Sequence, residues 1–450
     1  MPARGRVHTR SNTGRKRPIV ARKGEIVGAV DFGSREVRVV IALEGRDGSV
    51  QILGHGVSQG KGCVSQGLIQ DLSAAQRGLK QALHAAEKEA GVKIASLFCG
   101  LSGTNVESFI REGVVKLEHE VVEMHHLEEA LDLASRDILA PGKHVLSSIT
   151  SQEWYVDELR VSDPVGIRGS VLKTRVHFAQ IPSVIEDNIV TCIESQGRDL
   201  EDLVFLPLAA ALGCLTPEDK ELGVAVLDMG RSTTSLALYR DRRILTTQCF
   251  DWGGFHITRD VAAGLQVSFE EADELVLEYG LSDTLIQREL NTGKKAQPET
   301  AELAKGRSAQ IKLKTAVHGA PTIVERDELE MIIFERSREL LNKVHQYINS
   351  RGMAKHLVRG IILTGGAASI RNMVALAEAV FQVPSRQGLP DGIDVSPQPV
   401  QCSAFTPVVG VARHGFEFRA AMRNGRIKVQ RGLLGTVLNA VGGFFGKYFF

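Results

Sequence analysis

Residues 223–239 read Gly223-Val-Ala-Val-Leu-Asp228-Met-Gly230-Arg231-Ser232-Thr233-Thr234-Ser-Leu-Ala-Leu-Tyr239. An apolar run ends in an acid and a glycine, small hydroxyl residues follow, and a second apolar run returns. This is the pattern of a strand, a tight turn and an antiparallel partner. It also occurs earlier: Glu25 to Val30 is an apolar strand ending in Asp31-Phe32-Gly33-Ser34, with strands over Val37–Leu43 and Val50–Gly54 behind it. Two copies about 200 residues apart point to two α/β halves of similar build.

Such a turn presents backbone N–H groups and hydroxyl oxygens to phosphate. An Asp at the strand end offers a hard oxygen to Mg2+, usually through water. The candidates for nucleotide binding are Asp31, Gly33 and Ser34 on the first turn and Asp228, Gly230, Ser232 and Thr233 on the second, with Asp31 and Asp228 as metal candidates. A single turn of this kind is ordinary hairpin chemistry. The third element changes the weight: Val358-Arg-Gly-Ile-Ile-Leu-Thr364 is a buried strand that enters Gly365-Gly366-Ala367-Ala368 and a helical run from Ile370 to Phe381. Glycines there allow a nucleoside to lie flat against the backbone, which adds Gly365, Gly366 and Ala367 to the site.

The chain has 450 residues, enough for several domains, and 43% hydrophobic with 24% charged residues is an ordinary globular composition. A net charge of +1 gives no global attraction to nucleic acid, and no nucleic-acid partner is expected. Residues 1–24 are an exception, with Arg4, Arg6, Arg10, Arg15, Lys16, Arg17, Arg22 and Lys23 and no acid. This tail lacks the apolar centre of a signal peptide and reads as a disordered basic segment. The six cysteines lack metal or redox spacing and read as reduced core residues.

Residues 431–450 carry a different signal. On a helical wheel Leu433, Leu434, Val437, Leu438, Val441, Phe444, Phe445, Tyr448 and Phe449 share one side. Lys447 sits opposite, and Arg423, Arg426, Lys428 and Arg431 precede the stripe. Such a helix lies in the headgroup layer, cations toward anionic lipid. Asn439, Lys447 and several glycines dilute it too far for a bilayer span. The same glycines weaken an isolated helix, so the segment is expected to fold on lipid; docking on the protein's own core is the alternative.

Two phosphate hairpins and a late Thr-Gly-Gly-Ala turn resemble the actin/hexokinase/Hsp70 ATPase superfamily. Within it the chain resembles the FtsA family of bacterial cell-division proteins, over roughly residues 25–415 plus the terminal stripe. The stretches that carry this are Gly60–Leu72, Val204–Gly213, Trp252-Gly-Gly-Phe-His-Ile-Thr-Arg-Asp260, Gly360–Ala368 and Asp163-Pro-Val-Gly-Ile-Arg-Gly169. The resemblance implies an α/β, actin-like two-lobed ATPase fold with a small α+β subdomain inserted in the first lobe and a C-terminal amphipathic helix.

The expected division is a basic tail (1–24), first-lobe core (25–102, 180–205 and 389–416), inserted subdomain (103–179), second-lobe core (206–251 and 327–388), second-lobe insertion (252–326), linker (417–430) and membrane helix (431–450). Helices are expected over Leu72–Ala90, Leu127–Leu139 and Asp327–Ser350, the last with Asp327 as N-cap and with Ile332, Ile333, Leu340, Leu341, Val344 and Ile348 facing inward. Residues 291–316 are expected to form a solvated loop or hairpin.

The resemblance further implies an ATP- and Mg2+-binding adaptor at the cytoplasmic face of the membrane, at the division septum. Its partners would be the C-terminal peptide of FtsZ through the second-lobe insertion, further copies in protofilaments, other division proteins through the inserted subdomain, and anionic lipid. An actin-fold small-molecule kinase and a pilus-assembly or chaperone-like actin homologue are the competing readings.

The chain departs from its relatives at several positions. Arg231 and Ser232 stand where the second phosphate loop usually has glycines; Arg231 either meets phosphate or points to solvent. Val276 replaces a lysine that relatives direct to the ribose, leaving Asp273 and Glu274 as candidate hydroxyl acceptors. Leu206 precedes Pro207 where chaperones and rod-shape homologues have Glu. Gln180 and Glu186 lie near the region where actin-like ATPases place a group that orients the attacking water, and with the acid before Pro207 missing, weak or negligible ATPase activity is expected.

Overall fold

The computed structural model describes residues 25–423, apart from 46–47, 61, 119–120, 137, 139–141, 147–151, 292–308, 318–319 and 394–397. The basic tail, the stripe at 431–450 and most of the polar stretch before residue 309 therefore lie outside the described residues.

The first lobe begins with β1 (Ile26–Phe32), β2 (Glu36–Glu44) and β3 (Val50–Gln59), an antiparallel meander. A small hairpin, β4 (Val64–Ser65) and β5 (Leu68–Ile69), leads to α1 (Leu72–Ala90), as the helical spacing predicts. Asp71 caps α1 by accepting from Ala74 N–H at 2.9 Å, and Leu79, Ala82 and Leu83 bury its inner face against the sheet. Strand β6 (Ser96–Leu101) then pairs parallel to β1.

The inserted subdomain follows, with β7 (Glu107–Lys116), α2 (Met124–Ser135), β8 (Lys143–Leu146), β9 (Gln152–Val156), β10 (Leu159–Val161) and β11 (Val171–Pro182). Its sheet is antiparallel, in the order β10-β9-β11-β7 with β8 also on β11, and Trp154, Phe178, Leu127 and Leu172 give it a core of its own. Helix α2 starts and stops earlier than the periodicity predicts. His126 Nδ1 accepts from Glu123 N–H at 3.1 Å at its start, and Arg136 is already extended at its end.

Helix α3 (Ser183–Glu194) returns the chain to the first lobe, where β12 (Asp199–Phe205) completes a sheet ordered β12-β6-β1-β2-β3. Helix α4 (Leu206–Cys214), buried along its whole length, and the short α5 (Pro217–Leu222) lead into the second lobe.

There β13 (Val224–Met229), β14 (Thr234–Arg240) and β15 (Arg243–Phe250) repeat the opening meander. The insertion comprises α6 (Gly254–Leu265), α7 (Phe269–Tyr279), α8 (Asp283–Asn291) and the hairpin β16 (Gln310–Val317) and β17 (Ala320–Glu325). Helix α9 (Arg326–Ser350) buries Ile333, Leu340, Leu341, Val344 and Ile348, while Ile332 is half-buried. Asp327 is not its N-cap. Glu325 holds that position, and Asp327 lies in the first turn, where its charge suits the positive end of the helix.

Strand β18 (Ile361–Thr364) pairs parallel to β13. The helix expected from Ile370 starts later: a 3₁₀ turn at Ala367–Ser369 precedes α10 (Met373–Phe381). Asn372 interrupts the run in a left-handed conformation (φ 64°), and its amide reaches Leu281 O at 2.9 Å. Strand β19 (Ser385–Gln387) closes a sheet ordered β15-β14-β13-β18-β19, and α11 (Thr406–Arg423) crosses back to the first lobe.

Helix α11 continues through residues 417–423, where the sequence predicts a linker. Phe418 packs edge-on against Phe98 at 5.6 Å, and Arg419 Nε binds Glu201 at 2.9 Å, so this turn belongs to the lobe. Helices α4 and α11 form the crossing between the lobes. A Cβ on Gly410 would stand 1.7 Å from Ala209 O, a backbone approach that small residues alone permit.

Candidate functional site

The equivalent strands of the two sheets end in Asp31 and Asp228 at one cleft of about 340 Å³ between the lobes. Asp31 faces Arg38 across its hairpin, whereas Asp228 faces Ser235. Both carboxylates are buried, and no described side chain forms an ion pair with either. Burial pushes Asp31 up to about 6, with Arg38 pulling the other way. Asp228 is pushed up to about 7, by burial first and then by the neighbouring charge of Asp31.

Two buried acids that repel one another suit a hard divalent cation. Among the described residues no group of three or more His, Cys, Asp or Glu could hold a metal, so this pair could supply only part of a coordination shell. Phosphate oxygens and water would complete it.

Gly33, Ser34, Gly230, Ser232 and Thr233 line the cleft on the two turns, and Gly365, Gly366 and Ala367 line it on the third. Gly365 has φ +83°, and a Cβ there would lie 2.4 Å from Asp228 Oδ1, so glycine is needed both for the turn and for the acid beside it. Gly366 faces open space. The Trp252-Gly-Gly stretch also acquires a physical role. Gly254 N–H donates to Gly230 O at 2.9 Å and Phe255 N–H to Arg231 O at 2.7 Å, which pins the start of α6 to the second hairpin. A Cβ on Gly253 would come within 2.6 Å of Arg231 O.

Not every sequence candidate comes to the cleft. Asp273 lines it with both oxygens engaged: Thr258 Oγ1 donates to Oδ1 at 2.5 Å, and Arg231 Nη1 lies 2.7 Å from Oδ2. Arg231 thus neither points to solvent nor stands free for phosphate. Glu274 turns outward to Lys314, one helical position from the face that carries Asp273. Gln180 lies in the inserted sheet, where its amide donates to Glu107 at 2.9 Å. Glu186 pairs with His144 at 2.6 Å on the first turn of α3. Neither lines the cleft, whereas Leu206 and Val276 do.

Arg35, Glu36, Arg38 and Thr258 line the cleft but were not singled out from sequence. The only available signal was their position beside the phosphate-type turns and inside the Phe-His-Ile-Thr stretch. Lining alternates along β2: Glu36 and Arg38 pair with each other at 2.6 Å, and Val37 between them is buried in the core.

Matched sheets, a crossing pair of helices and a cleft between acid-bearing hairpins define a two-lobed protein of the actin-like ATPase fold. The model for the cell division protein FtsA matches residues 225–410, and that for the SHS2 domain inserted in FtsA matches residues 103–179. Cell division protein FtsA of Pseudomonas aeruginosa is 26% identical, over 88% of this chain and 90% of its own length. That of Escherichia coli K12 is 26% identical, over 93% of this chain and 96% of its own. The chain belongs to the FtsA family. Among solved structures, the PilM-PilN type IV pilus biogenesis complex is similar in fold (TM-score 0.56, 16% identity, 86% of this chain and 98% of that one). So is MreB 5 of Spiroplasma citri bound to AMPPNP (TM-score 0.51, 14% identity, 89% and 98%).

Proposed function

We propose that this chain is an ATP- and Mg2+-binding membrane adaptor of bacterial cell division. It tethers FtsZ to the cytoplasmic face of the cell membrane and polymerises at the septum. The carrying observation is the convergence of Asp31, Asp228 and the Gly365-Gly366 turn on one cleft, in a chain of the FtsA family. The AMPPNP-bound relative in fold agrees with a nucleotide there. The two hairpins would hold the phosphates of ATP, Gly365 and Gly366 would admit its nucleoside, and Asp31 and Asp228 would hold magnesium, which supplies charge neutralisation to the phosphates.

Hydrolysis is slow or absent, because Leu206 offers the cleft no polar group and Gln180 and Glu186 stand elsewhere. Among the described residues no helix is long and apolar enough to cross a membrane, so attachment is assigned to the sequence stripe Leu433–Phe449, with Lys447 toward the headgroups. The second-lobe insertion receives the FtsZ peptide, and the inserted subdomain receives other division proteins.

The test is co-sedimentation of FtsZ with anionic liposomes. The intact chain carries FtsZ down, a chain ending at residue 430 leaves it in solution, and omission of Mg-ATP abolishes adaptor polymers. Equal sedimentation by the shortened chain overturns the adaptor reading.

A further inference from the structure

Arg35 and Arg231 stand on facing hairpins, one from each lobe, and reach the same oxygen. Arg231 Nη1 is 2.7 Å and Arg35 Nη1 is 3.6 Å from Asp273 Oδ2, while Thr258 occupies Oδ1. Arg231 also lies over the Phe255 ring at 4.9 Å. Two guanidinium groups therefore share one carboxylate, and the neighbouring Glu36 lies 3.8 Å from Arg35 Nε while pairing with Arg38 at 2.6 Å, so three cleft arginines face two paired acids. The cluster of Arg35, Arg38 and Arg231 with Glu36 and Asp273 carries a surplus positive charge, and each fork is shaped for bidentate binding of a phosphate. Both arginines project from the very turns whose N–H groups suit phosphates.

We infer that Arg35 and Arg231 read the terminal phosphate of the nucleotide, and that Asp273 is the internal anion from which that phosphate takes them. The inference rests on the nucleotide-binding reading above and adds to it a basis for choosing triphosphate over diphosphate. Without a terminal phosphate, Asp273 ties the two hairpins together across the cleft. A triphosphate competes for both guanidinium groups, while a diphosphate leaves them on Asp273. Changes to the arginines and to the acid therefore act in opposite directions.

The test measures dissociation constants of methylanthraniloyl-ATP and methylanthraniloyl-ADP with Mg2+, using the full chain and the variants Arg35→Gln, Arg231→Gln and Asp273→Asn. Losing one charge-assisted contact weakens ATP roughly tenfold and ADP by less than about threefold. Asp273→Asn, which releases Arg231 and leaves Arg35 only its longer contact with Glu36, tightens ATP by about threefold or more. Arg231→Lys keeps the charge and recovers part of the ATP preference. Should Arg231→Gln unfold, Arg35→Gln carries the test, since that side chain is 41% exposed. Wild-type binding of both nucleotides with an ATP-to-ADP ratio unchanged in the variants overturns the inference alone. A wild type that binds neither nucleotide overturns the nucleotide reading and this one with it.

Discussion

Glu153, buried in the inserted sheet, lies 2.6 Å from Arg243 Nη1 on β15 of the second lobe. Tyr155 OH donates to the same carboxylate oxygen, Arg160 Nη2 donates to Asp241 O at 3.0 Å, and Thr247 Oγ1 donates to Ser108 at 2.8 Å. The inserted subdomain is thus fastened to the second lobe by side chains, although the chain enters it from the first. Removing the Glu153 charge leaves Arg243 with the Asp241 carboxylate at 3.3 Å and the Tyr155 hydroxyl at 3.4 Å. Glu153→Gln is expected to cost about 1–3 kcal/mol in urea unfolding, with earlier proteolysis inside residues 103–179. An unchanged midpoint and cleavage pattern would show the fastening to be energetically idle.

His177 lies at the same contact, buried, with Nε2 3.0 Å from Thr247 Oγ1. Burial holds its pKa down to about 4, against 6.5 for the free side chain. As pH falls through 6.5 the unfolded chain takes up this proton and the native protein does not, so stability is lost between pH 6.5 and 4. The full loss is about 3 kcal/mol. His177→Gln is expected to be less stable than wild type at pH 7.5 but to lose less on going to pH 4.5. Parallel melting curves for the two proteins would contradict this assignment.

Gly365→Ala tests the third turn. The methyl meets Asp228 Oδ1 and Met229 O at a left-handed position, which is expected to cost about 2–4 kcal/mol. Gly366→Ala, next to it, meets nothing and is expected to change stability by under about 1 kcal/mol, so any nucleotide loss there reports on the cleft itself. Equal melting temperatures for the two variants would sink the argument.

Asp228→Asn separates stability from binding. The native protein holds a proton on Asp228 more tightly than the unfolded chain does, so its ionisation costs stability as pH rises from 3.8 to about 7. At pH 8 the nucleotide-free Asn variant is expected to be more stable than wild type by on the order of 1–3 kcal/mol, and to lose the effect of Mg2+ on nucleotide affinity. A destabilised variant that keeps its magnesium dependence would refute both halves.

Much of the site was legible because its signals are local. Asp31-Phe-Gly33, Asp228-Met-Gly230 and Thr364-Gly365-Gly366 each need only a strand, an acid or hydroxyl, and a turn. The α1 helix was readable to its ends because Asp71 and Gly91 stop it chemically at both sides. Errors arose where distant groups decide. The start of α10 depends on Asn372 reaching Leu281, and the extent of α11 depends on Arg419 reaching Glu201. Chain position alone suggests Gln180 and Glu186 as water-orienting groups, yet one faces Glu107 and the other His144.

By itself the sequence determined the two-lobed architecture and the acids and glycines of the cleft, because each is written in neighbouring residues and their periodicity. Only the tertiary structure decided that Asp273 is held by Thr258, Arg231 and Arg35, that Glu274 turns away, and that the inserted subdomain is fastened to β15. Charged side chains are long, and their partners lie tens to hundreds of residues away along the chain. Which acid meets which base is therefore set by packing of the lobes, and local pattern carries no record of it.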